Sequence, residues 1–92
     1  VYGDCEDYSL TLVWLVSGQN KATFWHLLKS KYSLYFVKIA NNVGHIVLLD
    51  RASGKYIDNI QKKLVDKSVL KSRGYRFKFR VPIWFIKLKL IL

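Results

Sequence analysis

Cysteine occurs once in this chain of 92 residues, at Cys5. A single cysteine excludes an internal disulfide and a zinc site built from cysteines. Methionine is absent, even at position 1, which leads us to expect a processed product or part of a longer protein. Acids are scarce too, with six Asp and Glu against sixteen Lys and Arg. Apolar residues still make up 51%, so the composition predicts one small globular domain and not a disordered chain.

The net charge of +10 is concentrated in the second half of the chain. Residues 1–50 carry four lysines and four acids, whereas residues 51–92 carry twelve Lys and Arg against Asp58 and Asp66. A basic half of this kind suits nucleic acid, anionic lipid, an acidic partner protein or simple solvation. Its basic residues alternate with apolar ones, as on a strand with one wet face. We therefore favour a solvated face and rank nucleic-acid binding last.

No segment is long enough to cross a membrane. The longest apolar run covers residues 81–92 and is interrupted by Lys87 and Lys89. A membrane-spanning helix needs about 20 predominantly apolar residues. The given sequence also contains no signal peptide, so it leaves the localisation undetermined.

The first apolar segment predicts a helix over residues 4–17. Its apolar positions recur at helical spacing and cover a wide face, which indicates a largely buried helix. Asp4 suits the N-cap, Asp7 stands at the capping-box position three residues later, and Gly18 suits the position after the last turn. A shorter second helix is predicted over residues 23–31.

The middle of the chain predicts an antiparallel meander of three strands. These strands are rich in aromatic and β-branched residues and are separated by turn signals. They cover residues 32–40, 44–50 and 55–60.

The last third of the chain is harder to interpret. Residues 61–73 suit either a solvated loop or a short helix. Residues 75–81 alternate as a strand, which places Tyr75, Phe77, Phe79 and Val81 on one face. Pro82 interrupts the pattern, and residues 83–92 are predicted to form a final strand.

Strand register brings a histidine and an aspartate together. If the turn after Asp50 pairs that residue with Lys55, His45 and Asp58 project from the same sheet face as diagonal neighbours. Such neighbours lie about 7–8 Å apart at Cα, within reach of an imidazole–carboxylate bond. The helix that carries Cys5 is then expected to pack its N-terminus against that same face.

These three residues suit nucleophilic catalysis. Cys5 would be the nucleophile, because a helix N-terminus and a neighbouring imidazolium both favour a thiolate. His45 would be the base, and Asp58 would orient it and support its positive charge. The backbone N–H of Cys5 lies in the first helical turn, where it is placed to donate to an oxyanion. The side-chain donor to that oxyanion is left open among Gln19, Asn41, Asn42 and a residue upstream of position 1.

Three carboxylates surround the thiol: Asp4, Glu6 and Asp7. Their charge disfavours a thiolate, and a bound hard cation would remove the repulsion. Clustered carboxylates are the ligands that calcium prefers. Spacing alone leaves two interpretations equally open, a calcium site or a set of capping and solvated acids.

Three blocks of sequence resemble the bacterial transglutaminase-like cysteine peptidases over about residues 2–60. The blocks are Gly3-Asp4-Cys5-Glu6-Asp7-Tyr8, Gly44-His45-Ile46-Val47-Leu48 and Tyr56-Ile57-Asp58-Asn59. The resemblance implies an α+β fold of papain-like, transglutaminase type, in which a nucleophile-bearing N-terminal helix packs on an antiparallel sheet. It implies Cys5 as nucleophile, His45 as base and Asp58 as orienter. Some relatives bind calcium beside the nucleophile, which carries over to Asp4, Glu6 and Asp7.

The resemblance also implies how the chain is organised. The family has helical structure before its nucleophile, so residues 1–92 are expected to be a single transglutaminase-like domain without its N-terminal part. Residues 61–92 have no counterpart and are expected to form a basic C-terminal β extension. Because no candidate catalytic residue follows Asp58, we expect this extension to serve attachment and not catalysis.

Two functions from different classes follow. The first is a cysteine peptidase or thiol hydrolase that cleaves a peptide or isopeptide bond of a protein substrate through an acyl-enzyme on Cys5. Transfer of the acyl group to an amine is left open beside hydrolysis. The alternative is a structural or interaction subunit of a larger assembly, viral or bacterial, that docks through the basic C-terminal strands.

Overall fold

A computed structural model describes the backbone of residues 2–91 and the side chains of residues 5–90. The described chain combines helices with one antiparallel sheet, which confirms the α+β class. In chain order the elements are α1 (Tyr2–Val16), α2 (Lys21–Ser30), β1 (Tyr32–Ile39), a 3-10 turn (Ala40–Asn42), β2 (Val43–Asp50), β3 (Lys55–Ile57), α3 (Lys67–Ser72), β4 (Arg76–Arg80) and α4 (Ile83–Ile91). No helix in the described part of the chain combines the length and apolar character needed to cross a bilayer.

The sheet has the strand order β3-β2-β1-β4 and is antiparallel throughout. The predicted meander of β1, β2 and β3 is confirmed, and so is the pairing of Asp50 with Lys55. Strand β4 pairs with the other edge of β1, so part of the C-terminal segment extends the core sheet. Residues 61–92 are therefore not a β extension alone, because they also contain α3 and α4.

The turns follow from local residue preferences. Asn41 and Asn42, between β1 and β2, both have a φ of 61°, in the left-handed region that asparagine tolerates better than most residues. Gly54 has a φ of 72° at the end of the β2–β3 turn, where its N–H donates to the carbonyl of Asp50 at 2.8 Å. Both turn predictions are confirmed.

Helix α1 begins earlier than the sequence indicated. It starts at Tyr2, so Asp4 and Asp7 lie inside the helix and are not its N-cap and capping box. Cys5 is the fourth helical residue, so its N–H is used within the helix and is not the oxyanion donor that the sequence predicted. Sequence rules place a helix start at a good cap, but Tyr2 and Gly3 already follow the helical path here. The predicted end is confirmed, because Gly18 takes a φ of 71° and its N–H donates to the carbonyl of Leu15 at 3.1 Å.

Helix α4 corrects the prediction of a final strand over residues 83–92. The carbonyl of Pro82 accepts hydrogen bonds from the N–H groups of Phe85 at 3.1 Å and Ile86 at 3.3 Å. Proline lacks an N–H but suits the first turn of a helix, where that group needs no helical partner. Alternating Lys and Leu residues fit a strand, yet helical geometry buries Ile86 and leaves Leu88 and Leu90 about half exposed.

Strand β4 also corrects the prediction of a single aromatic face. A β-bulge shifts the register between Phe36 and Val37, so Phe79 pairs with Phe36 whereas Phe77 pairs with Val37. One extra residue in a strand moves the following side chains to the other face. Phe77 therefore packs on one side of the sheet, whereas Phe79 stacks on Phe36 and stays 57% exposed.

Side chains pack on both faces of the sheet. One cluster joins α1, α2 and α4 to Leu34, Ile46 and Leu48, and we call this side the helical face. The second cluster joins Val37 and Val47 to residues from β3, from α3 and from the segments just before α3 and β4, and we call this side the α3 face. Successive residues of β2 alternate between the two faces, as the pleat of a strand requires.

Candidate catalytic site

The predicted contact between His45 and Asp58 is present. The Nε2 atom of His45 lies 2.8 Å from Oδ2 of Asp58, and both side chains are buried. Asp58 directly follows β3, and continuing the β2–β3 register beyond Leu48 and Ile57 places it opposite Val47 on the α3 face. The hairpin register therefore brings the two side chains together, as the sequence predicted.

Cys5 reaches this pair from the opposite side of the sheet, which corrects the expected packing. Helix α1 packs on the helical face, against Ile46 and Leu48, whereas His45 belongs to the α3 face. The two faces meet at the edge of β2, because β3 pairs only with Leu48 and the two residues after it. There the backbone N–H of Ile46 donates to Sγ of Cys5 at 3.1 Å, so the sulfur lies beside the strand edge.

His45 links the other two residues. It is hydrogen-bonded to Asp58, and the Cys5 side chain also interacts with the imidazole and helps to raise the His45 pKa. Because Nε2 is used for Asp58, Nδ1 is the ring nitrogen left for the thiol. The structure thus brings Cys5, His45 and Asp58 into one chain of contacts, and we call these three residues the triad.

Asp58 accepts four hydrogen bonds, two at each carboxylate oxygen. Oδ1 accepts from the backbone N–H of Ile60 at 3.1 Å and of Gln61 at 2.6 Å. Oδ2 accepts from the hydroxyl of Tyr75 at 2.6 Å in addition to His45. A buried carboxylate with this many donors is held as an anion in one orientation.

The pKa values follow from this network. Burial alone lowers the pKa of His45, but hydrogen bonds and attraction to Asp58 and Cys5 outweigh it and raise that pKa to about 9. Burial alone raises the pKa of Asp58, but hydrogen bonds from His45, Tyr75 and Gln61 outweigh it and lower that pKa below its usual value. At neutral pH the pair is therefore an imidazolium and a carboxylate.

Tyr75 is the part of this site that sequence reasoning missed. It lies just before β4, and the sequence placed it on the apolar face of a predicted strand in a segment assigned to attachment. No motif marks it, because nothing in the local pattern shows that β4 pairs with the far edge of β1 and brings Tyr75 to Asp58. The C-terminal region was expected to serve attachment and not catalysis, yet it supplies a hydrogen bond to Asp58.

The three acids near the thiol lie in different surroundings. Glu6 is buried and forms an ion pair with Lys89 of α4 at 2.9 Å, whereas Asp7 is exposed. The side chain of Asp4 lies outside the described residues. Among the side chains that are described, no group of three His, Cys, Asp or Glu could hold a metal ion. The calcium site stays a prediction. The proposed reaction of Cys5 uses no metal.

The candidates for an oxyanion donor are narrowed by position. Gln19 follows the far end of α1, about 20 Å along the helix from Cys5, which removes it from the set. Asn42 uses its Oδ1 to accept a hydrogen bond from Arg76 at 2.8 Å.

Two buried side-chain oxygens in the described part of the chain, Ser9 Oγ and Asn59 Oδ1, have no hydrogen-bond partner. Each stands near a triad residue in sequence, and such groups are common at functional sites.

The triad is closed to solvent. Cys5 and Asp58 are each 0% exposed and His45 is 4% exposed. A cavity of about 720 Å³ lies between α1, α2 and α4, lined by apolar residues such as Leu10 and Trp14, and it includes none of the three. Any molecule that approaches Sγ must therefore displace covering side chains.

The chain matches no model of a known protein family, no curated protein and no solved structure.

Proposed function

We propose that the protein is a cysteine peptidase or thiol hydrolase with a papain-like, transglutaminase-type arrangement, acting on a peptide or isopeptide bond. The observation that carries the proposal is the position of His45, which is hydrogen-bonded to a buried aspartate and interacts with the only cysteine. Nucleophile, base and orienter in hydrogen-bond contact are the signature of an activated nucleophile.

The first half of the reaction forms an acyl-enzyme. The Cys5 thiolate attacks the carbonyl carbon of the scissile bond, and the oxygen becomes an oxyanion. His45, held as an imidazolium by Asp58, gives its Nδ1 proton to the leaving nitrogen. The C–N bond then breaks, an amine leaves, and the acyl group stays on Sγ as a thioester.

The second half releases the acyl group. Neutral His45 takes a proton from a water molecule, which attacks the thioester carbonyl. The C–S bond breaks and the carboxylic acid leaves, so that one water is consumed per bond cleaved. An amine in place of water gives a new amide by the same steps, and the geometry supports both acceptors equally.

The experiment is a paired search for cleavage and transfer. The protein is incubated with a denatured protein mixture, with and without a fluorescent primary amine, and products are read by mass spectrometry. Cys5→Ser and His45→Ala serve as inactive controls. The expected result is new termini or amine adducts only with the wild-type protein. The same products from the Cys5→Ser variant, or none from any protein, would contradict the proposal.

A second function is favoured by a different observation, the complete burial of the thiol. In this alternative the protein is an interaction subunit of a larger assembly, and the buried triad is only a structural network. Strand β4 lies at a sheet edge with Arg76, Lys78 and Arg80 exposed, and Phe79 and Trp84 are exposed beside it. Edge strands and exposed apolar patches are common docking surfaces.

The alternative predicts association that is independent of Cys5. Sedimentation of the wild-type chain at low and high salt is compared with a Phe79→Ser, Trp84→Ser variant. Loss of association in that variant, with no cleavage activity in the wild type, would favour the interaction subunit. A monomer at all salt concentrations would count against self-assembly through this surface.

A further inference from the structure

We propose that Tyr75 is a positioning residue of the triad, whose hydroxyl keeps Asp58 ionised and aligned for His45. This inference rests on the proposed thiol hydrolase. Tyr75 lies outside the three sequence blocks that contain Cys5, His45 and Asp58. Tyr75 contacts two different triad members through different parts of its side chain.

The first contact is with the carboxylate. Tyr75 and His45 share one acceptor, Oδ2 of Asp58, at 2.6 Å and 2.8 Å. The other oxygen is fixed by the backbone of Ile60 and Gln61. Each of the two carboxylate oxygens is therefore held by a donor other than His45, which fixes the direction in which Oδ2 faces the imidazole. Without the hydroxyl, Oδ2 would have His45 as its single described side-chain donor.

The second contact is with the imidazole. The rings of Tyr75 and His45 lie edge to face, with centroids 5.8 Å apart and an interplanar angle of 82°. Tyr75 is 6% exposed, so its ring forms part of the buried surroundings of the His45–Asp58 pair. A dry pair interacts more strongly than a wet one, because less solvent screens the charges.

The charges around Asp58 come from several elements. His45 faces it from β2, and Cys5 lies beyond His45 on α1. Two groups lower the pKa of the Tyr75 hydroxyl. They are the side chain of Gln61, through a hydrogen bond, and the charge of Arg73 at the end of α3. Burial and the bond to Asp58 raise the pKa of Tyr75 to about 12, so its hydroxyl keeps its proton and donates at physiological pH.

The test is the titration of Asp58 itself. Carbon-13 NMR of the Asp58 carboxyl group gives its pKa in the wild type and in Tyr75→Phe. The substitution keeps the ring and removes one charge-assisted hydrogen bond to the ionised form, so we expect that pKa to rise by about one unit. Tyr56→Phe is the matched control, because Tyr56 belongs to the same buried cluster and its hydroxyl is not among the four donors to Asp58. An unchanged Asp58 pKa in folded Tyr75→Phe would overturn the proposal.

A second variant covers the case in which Tyr75→Phe fails to fold. Fluorotyrosine at position 75 keeps the size of the ring and makes the hydroxyl a stronger donor. The Asp58 pKa is then expected to fall below the wild-type value. No change, or a rise, would contradict the role assigned to Tyr75.

A kinetic measurement separates this proposal from the proposed function. With a peptide that the wild type cleaves, Tyr75→Phe should lower kcat several-fold and leave KM unchanged, because Tyr75 positions Asp58 without contacting the substrate. Equal kcat in both proteins would contradict positioning. If no peptide is cleaved by any form, the hydrolase proposal fails, and the Asp58 titration still decides whether Tyr75 holds the carboxylate.

Discussion

His45 and Asp58 are thirteen positions apart in the chain and 2.8 Å apart at Nε2 and Oδ2. The antiparallel register of β2 and β3 accounts for this contact, since Asp50 pairs with Lys55. The consequence is a buried ion pair that extends toward the only thiol.

Thiol reactivity should depend on His45. We expect His45→Ala to lower the rate of Cys5 alkylation by iodoacetamide at pH 7 by about tenfold, because the imidazolium no longer stabilises the thiolate. Cys5 is the only cysteine, so mass spectrometry reports one site. His26→Ala is the control, since this other histidine of the chain is exposed on α2. Equal rates in the wild type and in His45→Ala would show that no activated pair exists.

Folding stability should fall as the pH rises above neutral. His45 has a pKa of about 9 in the folded state and about 6.5 when unfolded, so the folded state binds the proton more tightly. The resulting stabilisation, about 3 kcal/mol, is present below pH 6.5 and is lost as the pH rises through 9. Urea unfolding between pH 6 and 10 measures it. The same decline in His45→Gln would assign the effect to other groups.

Neutralising Asp58 should be costly. Asp58→Asn leaves the buried His45 without its anionic partner and removes an acceptor from the Tyr75 hydroxyl. Breaking a buried pair in this way destabilises by about 3–5 kcal/mol. Urea unfolding should show a loss of that size. Asp66→Asn, at an exposed helix end with no side-chain cap, should change stability by about 0.5 kcal/mol or less. Similar losses of unfolding free energy in both variants would show that Asp58 stabilises the fold no more than an exposed acid does.

The helical form of α4 has its own test. A strand over residues 83–92 would place Ile86, Leu88 and Leu90 on one face, whereas the helix buries only Ile86 among them. We therefore expect Ile86→Ala to destabilise the protein by about 2–4 kcal/mol and Leu88→Ala by about 0.5 kcal/mol or less. Thermal or urea unfolding separates the two. Equal effects would favour the strand.

Calcium should raise the melting temperature if the acids near Cys5 bind it. Binding to the folded state alone stabilises by mass action. Because Lys89 already pairs with Glu6, we expect a larger rise in Lys89→Met than in the wild type. Melts in millimolar calcium are compared with chelator and with magnesium at equal ionic strength. No rise in either protein would leave Asp4, Glu6 and Asp7 without a calcium role.

Local pattern and composition sufficed for much of this molecule. The α+β class, the meander of β1 to β3 and the stop at Gly18 follow from residue preferences that act over a few positions. The contact of His45 with Asp58 was also predictable, because a short turn transmits register from one strand to the next. The sequence therefore determined which residues could form a nucleophile, base and orienter.

Tertiary structure alone decided how the ends of the chain join that core. The alternating Lys and Leu residues of α4 fit two periods, and packing of Ile86 on the helical face selects the helix. Cys5 meets His45 across the edge of β2, and Tyr75 meets Asp58 because β4 pairs with β1. These contacts join segments far apart in sequence, and their energy depends on burial and on hydrogen bonds that no local pattern encodes.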